Sequence, residues 1–156
     1  MEIKGQLVSL VPFTREQCHE FYKAYVSDPS MWDFTYVYNE NRVNDYYERK
    51  VLDPSRRFFA IILNGRTIGE IQLKYIDIVK GFGTLSIHLQ NDAVKNKGYG
   101  TEAERLMIDY AFNELGLNTI YANTVLRNTR SQHILEKIGF VHTHDDDIFR
   151  YYKYKK

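Results

Sequence analysis

The chain has 156 residues, 21 basic and 20 acidic, for a formal net charge of +1. That near-neutral balance gives no pull towards nucleic acid or an anionic membrane, and no apolar stretch reaches the ~18 residues a transmembrane helix needs. One hydrophobic core suits the length, so a single domain over residues 1–156 is expected, and the lone Cys18 excludes an internal disulfide. The opening Met-Glu-Ile-Lys-Gly is unlike a signal peptide, and the expected setting is cytoplasmic.

In chain order, Glu2 to Val11 alternates as a first strand ending at Pro12. Thr14-Arg15-Glu16-Gln17 is a capping-box pattern that predicts a helix to about Val26, with Cys18 as a packing residue inside it. Asp28-Pro29 breaks that helix. The loop Ser30 to Glu40 is rich in aromatics: Trp32, Phe34, Tyr36 and Tyr38. Asn41 is placed to cap a short helix from Val43 to Leu52. Phe58 to Leu63 and Thr67 to Ile78 read as two strands joined by Asn64-Gly65, a type I′ hairpin signal. Gly81-Phe82-Gly83 turns the chain into a third strand, Thr84 to Leu89.

A glycine turn, a helix from Thr101 to Leu115, and a strand from Asn118 to Val125 follow. Asn128 caps a last helix that Gly139 ends. Phe140–His144 and Ile148–Tyr154 form a closing hairpin. The order β-αα-βββ-α-β-α-ββ predicts a mixed α/β layer fold.

The turn Lys95-Asn96-Lys97-Gly98-Tyr99-Gly100-Thr101 lies between a strand and a helix. Gly98 and Gly100 allow a sharp bend and close approach to the main chain. The free N–H groups of the first helical turn, the helix dipole and the two lysines suit a pyrophosphate. A P-loop is excluded, because Gly100 is followed by Thr101 instead of Lys. The dinucleotide pattern has Gly98, Gly100 and Ala103 in register, but no βαβ unit with a suitably spaced acid follows.

These residues, joined downstream by Asn128, Ser131, Lys137, Gly139 and Phe140, resemble the GNAT superfamily of acetyl-CoA-dependent N-acetyltransferases. The first motif departs from the family pattern only in having Lys95 at its first position. The spelling is most similar to the branch of ribosomal-protein N-terminal and spermidine acetyltransferases. The resemblance is strong over residues 84 to 141 and implies the GNAT-type acyl-CoA N-acyltransferase fold.

It further implies that main-chain N–H groups of Lys95 to Thr101 hold CoA, and that Asn128 meets the pantetheine arm while capping its helix. A backbone N–H from His88, Leu89 or Gln90 would polarise the thioester carbonyl. Many members place a tyrosine four positions before the Gly-Phe pair to protonate the leaving thiolate; here that position is Leu135. Ser131 is the candidate hydrogen-bond partner of the sulfur, and it also reads as a capping hydroxyl. In the resembling family the segment around Trp32, Phe34, Tyr36 and Glu40 walls the acceptor groove. Aromatic rings and carboxylates there suit an amine arriving as a cation, and equally suit packing of the loop onto the sheet.

Glu70, Gln72 and Lys74 alternate with apolar residues on one strand, as do Ser86, His88 and Gln90 on the next. Antiparallel pairing in even register would put Glu70 and His88 on one polar face, as candidate bases for the amine; an exposed strand surface explains the alternation too. His142, His144 and Asp145 to Asp147 read as a solvated hairpin tip, and no metal is expected. The expected activity is direct acetyl transfer from acetyl-CoA to a primary amine of a peptide N-terminus, polyamine or other small molecule. The rival readings are another short acyl-CoA as donor, or a catalytically silent acyl-CoA-binding module. A monomer or a homodimer is expected, without nucleic acid or membrane as partner.

Overall fold

Period-two alternation in the central strands decides which helices cover which face of the sheet. In β3 (Arg57–Leu63), Phe58 and Ala60 join a small core with Cys18, Phe21 and Val43, while Phe59 and Ile61 point to the main core. In β4 (Arg66–Asp77), Ile71 and Leu73 enter that main core with Ala103, Met107 and Ala111. Helices α1 (Arg15–Lys23) and α2 (Glu40–Tyr46) therefore cover one face, and α3 (Tyr99–Asn113) and α4 (Thr129–Ile138) the other.

The computed structural model describes residues 1–156 as this arrangement around one eight-stranded sheet. The remaining strands are β1 (Ile3–Lys4), β2 (Ser9–Pro12), β5 (Phe82–Leu89), β6 (Thr119–Val125), β7 (Val141–Asp145) and β8 (Phe149–Lys155). The strand order is β1-β2-β3-β4-β5-β6-β8-β7. Only β5 and β6 run parallel, joined by the crossover through α3. No helix is long and apolar enough to cross a membrane.

Most expected elements are present. The Thr14 capping box forms in both directions, at 3.0 and 3.2 Å. Asn64 and Gly65 both take positive φ, as a type I′ turn demands. Cys18 is fully buried, and burial followed by the nearby Glu70 charge pushes its thiol up to about 12, which suits a packing role.

Several boundaries differ; α1 already ends at Lys23, short of Val26, and α3 at Asn113, short of Leu115. The expected first strand is a small hairpin, because Gly5 to Leu7 turn the chain and β1 folds back on β2. Glu102 of α3 fixes that turn by accepting from the Leu7 and Val8 N–H groups, each at 2.9 Å. The cap of α2 is Asn39, whose extended backbone lets its side chain accept from Arg42 N–H at 3.0 Å, instead of Asn41. That helix ends in a wider π turn over Tyr47–Val51. Helix α3 begins at Tyr99, two residues early, because Gly98 at φ +86° completes the bend by itself. Finally, Phe82 is already strand, so only Gly81 turns.

Candidate active site

The central feature is a split in the sheet. Strand β5 pairs with β4 as far as Leu89, but with β6 only over Phe82–Thr84 against Thr119–Tyr121. Beyond Thr84 the two parallel strands diverge, and a cleft of about 1060 Å³ opens against Ile87, His88, Leu89, the glycine turn and α4.

The β4–β5 ladder settles which backbone groups face that opening. Gln90 N–H donates to Ile68 O at 2.8 Å, and His88 lies opposite Glu70. Antiparallel ladders bond on alternate residues, so His88 and Gln90 turn their N–H groups to β4 and Leu89 turns its own to the cleft. The Gln90 side chain is also committed, donating to Glu20 O and Phe21 O. Of the candidate thioester-polarising groups, Leu89 N–H is thus the one aimed at the opening.

At the cleft mouth α3 starts without a side-chain cap. The N–H groups of Tyr99, Gly100 and Thr101 have no intrahelical acceptor, which leaves donors and the positive dipole end for an anion. Asn96 at φ +60° and Gly98 at φ +86° shape the turn. Lys95 is drawn inward, 3.3 Å from Asp28 and 3.4 Å from Asp92. Burial pushes the Asp28 carboxyl up, but hydrogen bonds from Ser30 and the Lys95 charge hold it below the usual range. Lys95 therefore fastens the segment after α1 to the turn. The side chains of Lys97 and Tyr99 do not line the cleft.

On α4, Asn128 Oδ1 accepts from Ser131 N–H at 3.1 Å. The cap is supplied by Asn128 through the Ser131 N–H, so the Ser131 hydroxyl is not used for capping, and Ser131 is among the residues that line the cleft. Leu135 is buried in the core. Arg130, His133 and Lys137 extend the α4 wall, and the sequence reading did not assign them; their three- and four-residue spacing on one helix face is the signal.

Glu70 and His88 are direct partners across the β4–β5 ladder, as the even register required. Glu70 is sealed behind α1 and α2, where Tyr22 donates to it at 2.6 Å and Tyr46 at 3.0 Å. Burial raises its pKa to about 7, against the lowering effect of the two hydroxyls. Burial lowers His88 to about 4, aided by Lys74 and Lys95. Only His88 of the pair lines the cleft.

Four buried side-chain atoms lack a hydrogen-bond partner: Thr67 Oγ1, Glu104 Oε2, Thr124 Oγ1 and the Tyr152 hydroxyl. Of these residues only Glu104 lines the cleft. Burial alone raises its carboxyl to about 8. It was missed in sequence because it sits within a helix of strong apolar periodicity. Its position one turn after Gly100 and one before Ile108, a carboxyl on the core stripe, was the available signal.

The aromatic loop forms a second cleft of about 440 Å³, lined by Trp32, Phe34 and Tyr36 and sharing Tyr25, Val26 and Pro29 with the first. Tyr36 packs on Tyr22 and Tyr25, while Trp32 and Phe34 are exposed. Arg127 pins the loop by pairing with Asp33 at 2.9 Å and donating to Ser30 O at 3.1 Å. Glu40 opens α2 and lines neither cleft. At the far hairpin His142 Nε2 and Arg150 both converge on Asp145, at 2.8 and 3.0 Å, so the tip is tied by a hydrogen bond within β7 and a cross-strand ion pair from Arg150 of β8.

Residues 8–141 match the family model described as an acetyltransferase (GNAT) domain. The "Probable N-acetyltransferase YjcK" of Bacillus subtilis is 42% identical over 87 residues, covering 54% of this chain and 45% of that protein. Spermidine N(1)-acetyltransferase of Escherichia coli K12 is 30% identical over 98 residues, 63% of this chain and 52% of that protein. The chain thus spans about half the length of the curated relatives it matches. Among solved structures, spermidine N-acetyltransferase from Vibrio cholerae, in complex with CoA and spermine, superposes with a TM-score of 0.82 at 17% identity, covering 97% of this chain and 96% of that one.

Proposed function

The chain belongs to the GNAT acetyltransferase domain family, and from that premise we propose that it moves an acetyl group from acetyl-CoA directly to a primary amine. The observation that carries this reading is the uncapped start of α3 at the mouth of the β5–β6 opening. Helix N–H groups for a pyrophosphate and an open strand edge for an extended arm lie in one cleft.

In this reading the turn Lys95–Thr101 and Asn128 hold CoA, and Arg130 and Lys137 add positive charge. Leu89 N–H, aimed at the opening, stabilises negative charge on the thioester oxygen. The amine enters along the smaller cleft past Trp32, Phe34 and Tyr36, whose rings favour a cation. Its ammonium proton is lost to solvent, and the proton that nitrogen sheds on attack passes to neutral His88, with the Glu70 carboxyl behind it. The Ser131 hydroxyl faces the sulfur.

The acceptor class follows from the aromatic wall: a polyamine or an amine-terminated peptide. The spermidine acetyltransferases among the relatives support that class. The test is CoA calorimetry together with thiol release from acetyl-CoA across polyamines, peptides, amino acids and alcohols. Tight CoA binding and amine-dependent thiol release, climbing with pH through neutrality as ammonium deprotonates, are expected. CoA binding with no thiol release for any amine would instead favour a silent binding module.

A further inference from the structure

Loss of the leaving sulfur from a tetrahedral intermediate calls for a proton, and the helix position that would carry a tyrosine for this has Leu135 sealed in the core. The cleft holds another acid. Glu104 is 4% exposed, its Oε2 is closed to solvent without a partner, and the residue lines the same cleft as Leu89 and Ser131.

Its placement in the fold is specific. A Cβ on Gly100 would touch Leu89 Cδ1 at 3.5 Å and Ile87 Cδ1 at 3.9 Å, so that helix face looks onto β5. Glu104 follows one turn later, and α3 runs back along β5, so Glu104 lies deeper, towards the point where β5 and β6 separate. It also lies on the flank of α3 that faces α4. Ile108 and Phe112 share that flank, and Phe112 meets Tyr154 of β8 at 5.8 Å. The opposite flank carries Tyr110, against Phe59 of β3 at 5.2 Å.

Resting on the acetyltransferase reading above, we propose that Glu104 is the acid that protonates the sulfur of departing CoA. The amine, its ammonium proton already lost to solvent, forms its nitrogen–carbon bond to the acetyl carbon while the carbonyl π pair moves to oxygen, and the nitrogen yields one further proton to His88, which passes it to solvent. As the intermediate collapses, the carbon–sulfur bond breaks and its electron pair goes to sulfur. The Glu104 O–H proton moves to that sulfur, leaving CoA as the thiol and Glu104 as a carboxylate, which solvent reprotonates once products leave.

An unpaired buried carboxyl stays neutral because ionising it without a partner is costly. With its pKa raised to about 8 by burial, Glu104 is close to an ordinary thiol at ~8.5, so proton transfer between them is nearly balanced. The titratable groups around the cleft are Arg130, His133 and Lys137 on α4, His88 on β5, Tyr25 after α1, and Lys95 with its partners Asp28 and Asp92. None of them hydrogen-bonds or ion-pairs with Glu104.

The test compares wild type with Glu104→Gln and Glu104→Leu. Loss of a general acid should lower turnover by ~10²-fold in both, with CoA affinity kept. Turnover of wild type should also fall on an alkaline limb that both variants lack. Ser131→Ala, which removes only a hydrogen bond to sulfur, should lower turnover and keep the limb. A readout without catalysis is the carbon-13 titration of the Glu104 carboxyl. CoA should move its midpoint, and an analogue with hydrogen in place of the thiol should not. Equal turnover in folded Glu104→Gln, or a midpoint moved equally by both ligands, overturns the proposal. Should the variants not fold, the titration of wild type decides. A wild type that binds CoA and releases thiol while the variants match it refutes Glu104 alone; a wild type that binds no CoA overturns the acetyltransferase reading and this role with it.

Discussion

A carboxyl sealed beneath two tyrosine hydroxyls, as Glu70 is, titrates under opposed influences. Burial wins and holds the folded pKa at about 7, above its ordinary 4.5. The protonated form is therefore favoured by folding, and stability is lost as pH rises from the unfolded value through 7. His88 has the opposite sign: its pKa falls from 6.5 to about 4, so stability is present above 6.5 and lost as pH drops towards 4. Tyr46→Phe removes a donor that favours the Glu70 carboxylate, and should raise that pKa by a further ~1–2 units. Urea melts should show a larger deficit for the variant at pH 8 than at pH 5; an equal deficit at both would mean that Tyr46 does not support the carboxylate. The Glu70–His88 pairing was legible in the sequence because two strands with period-two polarity meet across a short hairpin. Tyr22 and Tyr46 were not, since residues brought in by separate helices leave no local pattern.

At the scale of elements, α3 and the turn before it let the proposed anion binding be tested separately from stability. Gly98 needs its positive φ, so a side chain there strains the backbone. Gly100 is within the helix, and a Cβ there would make only ordinary contacts with Leu89 and Ile87. Gly100→Ala should therefore stabilise the fold by ~0.5–1 kcal/mol through helix propensity. It should raise Tm by roughly 2–4 °C per kcal/mol. The added methyl crowds the N–H groups that a pyrophosphate would need, so CoA affinity should fall in the same variant. Calorimetry of a stabilised Gly100→Ala protein with unchanged CoA affinity would remove the turn from the binding site. The turn and the capped helices could be read from sequence because glycine, asparagine and threonine act within a few residues. The hairpin of β1 and β2 could not, because its bend is fixed by Glu102, almost a hundred positions away.

For the whole molecule, the strand–helix order read from the sequence is the order found, with one strand divided in two. The divergence of β5 from β6, on which the candidate site depends, is a property of two strands on either side of α3 and has no signature in either alone. It also limits how the molecule holds together. The ladder between the first five strands and the last three is only three residue pairs long, Phe82–Thr84 with Thr119–Tyr121. Side chains of α3 and α4, the Asn118 and Thr119 N–H groups on Gly81 O, and Arg127 on Asp33 and Ser30 supply the rest of the join. The two parts of the sheet are thus candidates for separate cooperative units of opening, resolvable by amide hydrogen exchange. A ligand lying between them would behave as a removable strand. CoA should slow exchange in β5 and in β6 with the start of α4 together, beyond the protection it gives the glycine turn; protection confined to the turn would show that the two parts open independently of it. If CoA binds there as proposed, the stability of the C-terminal strands is partly a function of CoA concentration, and proteolysis there should slow when CoA is added.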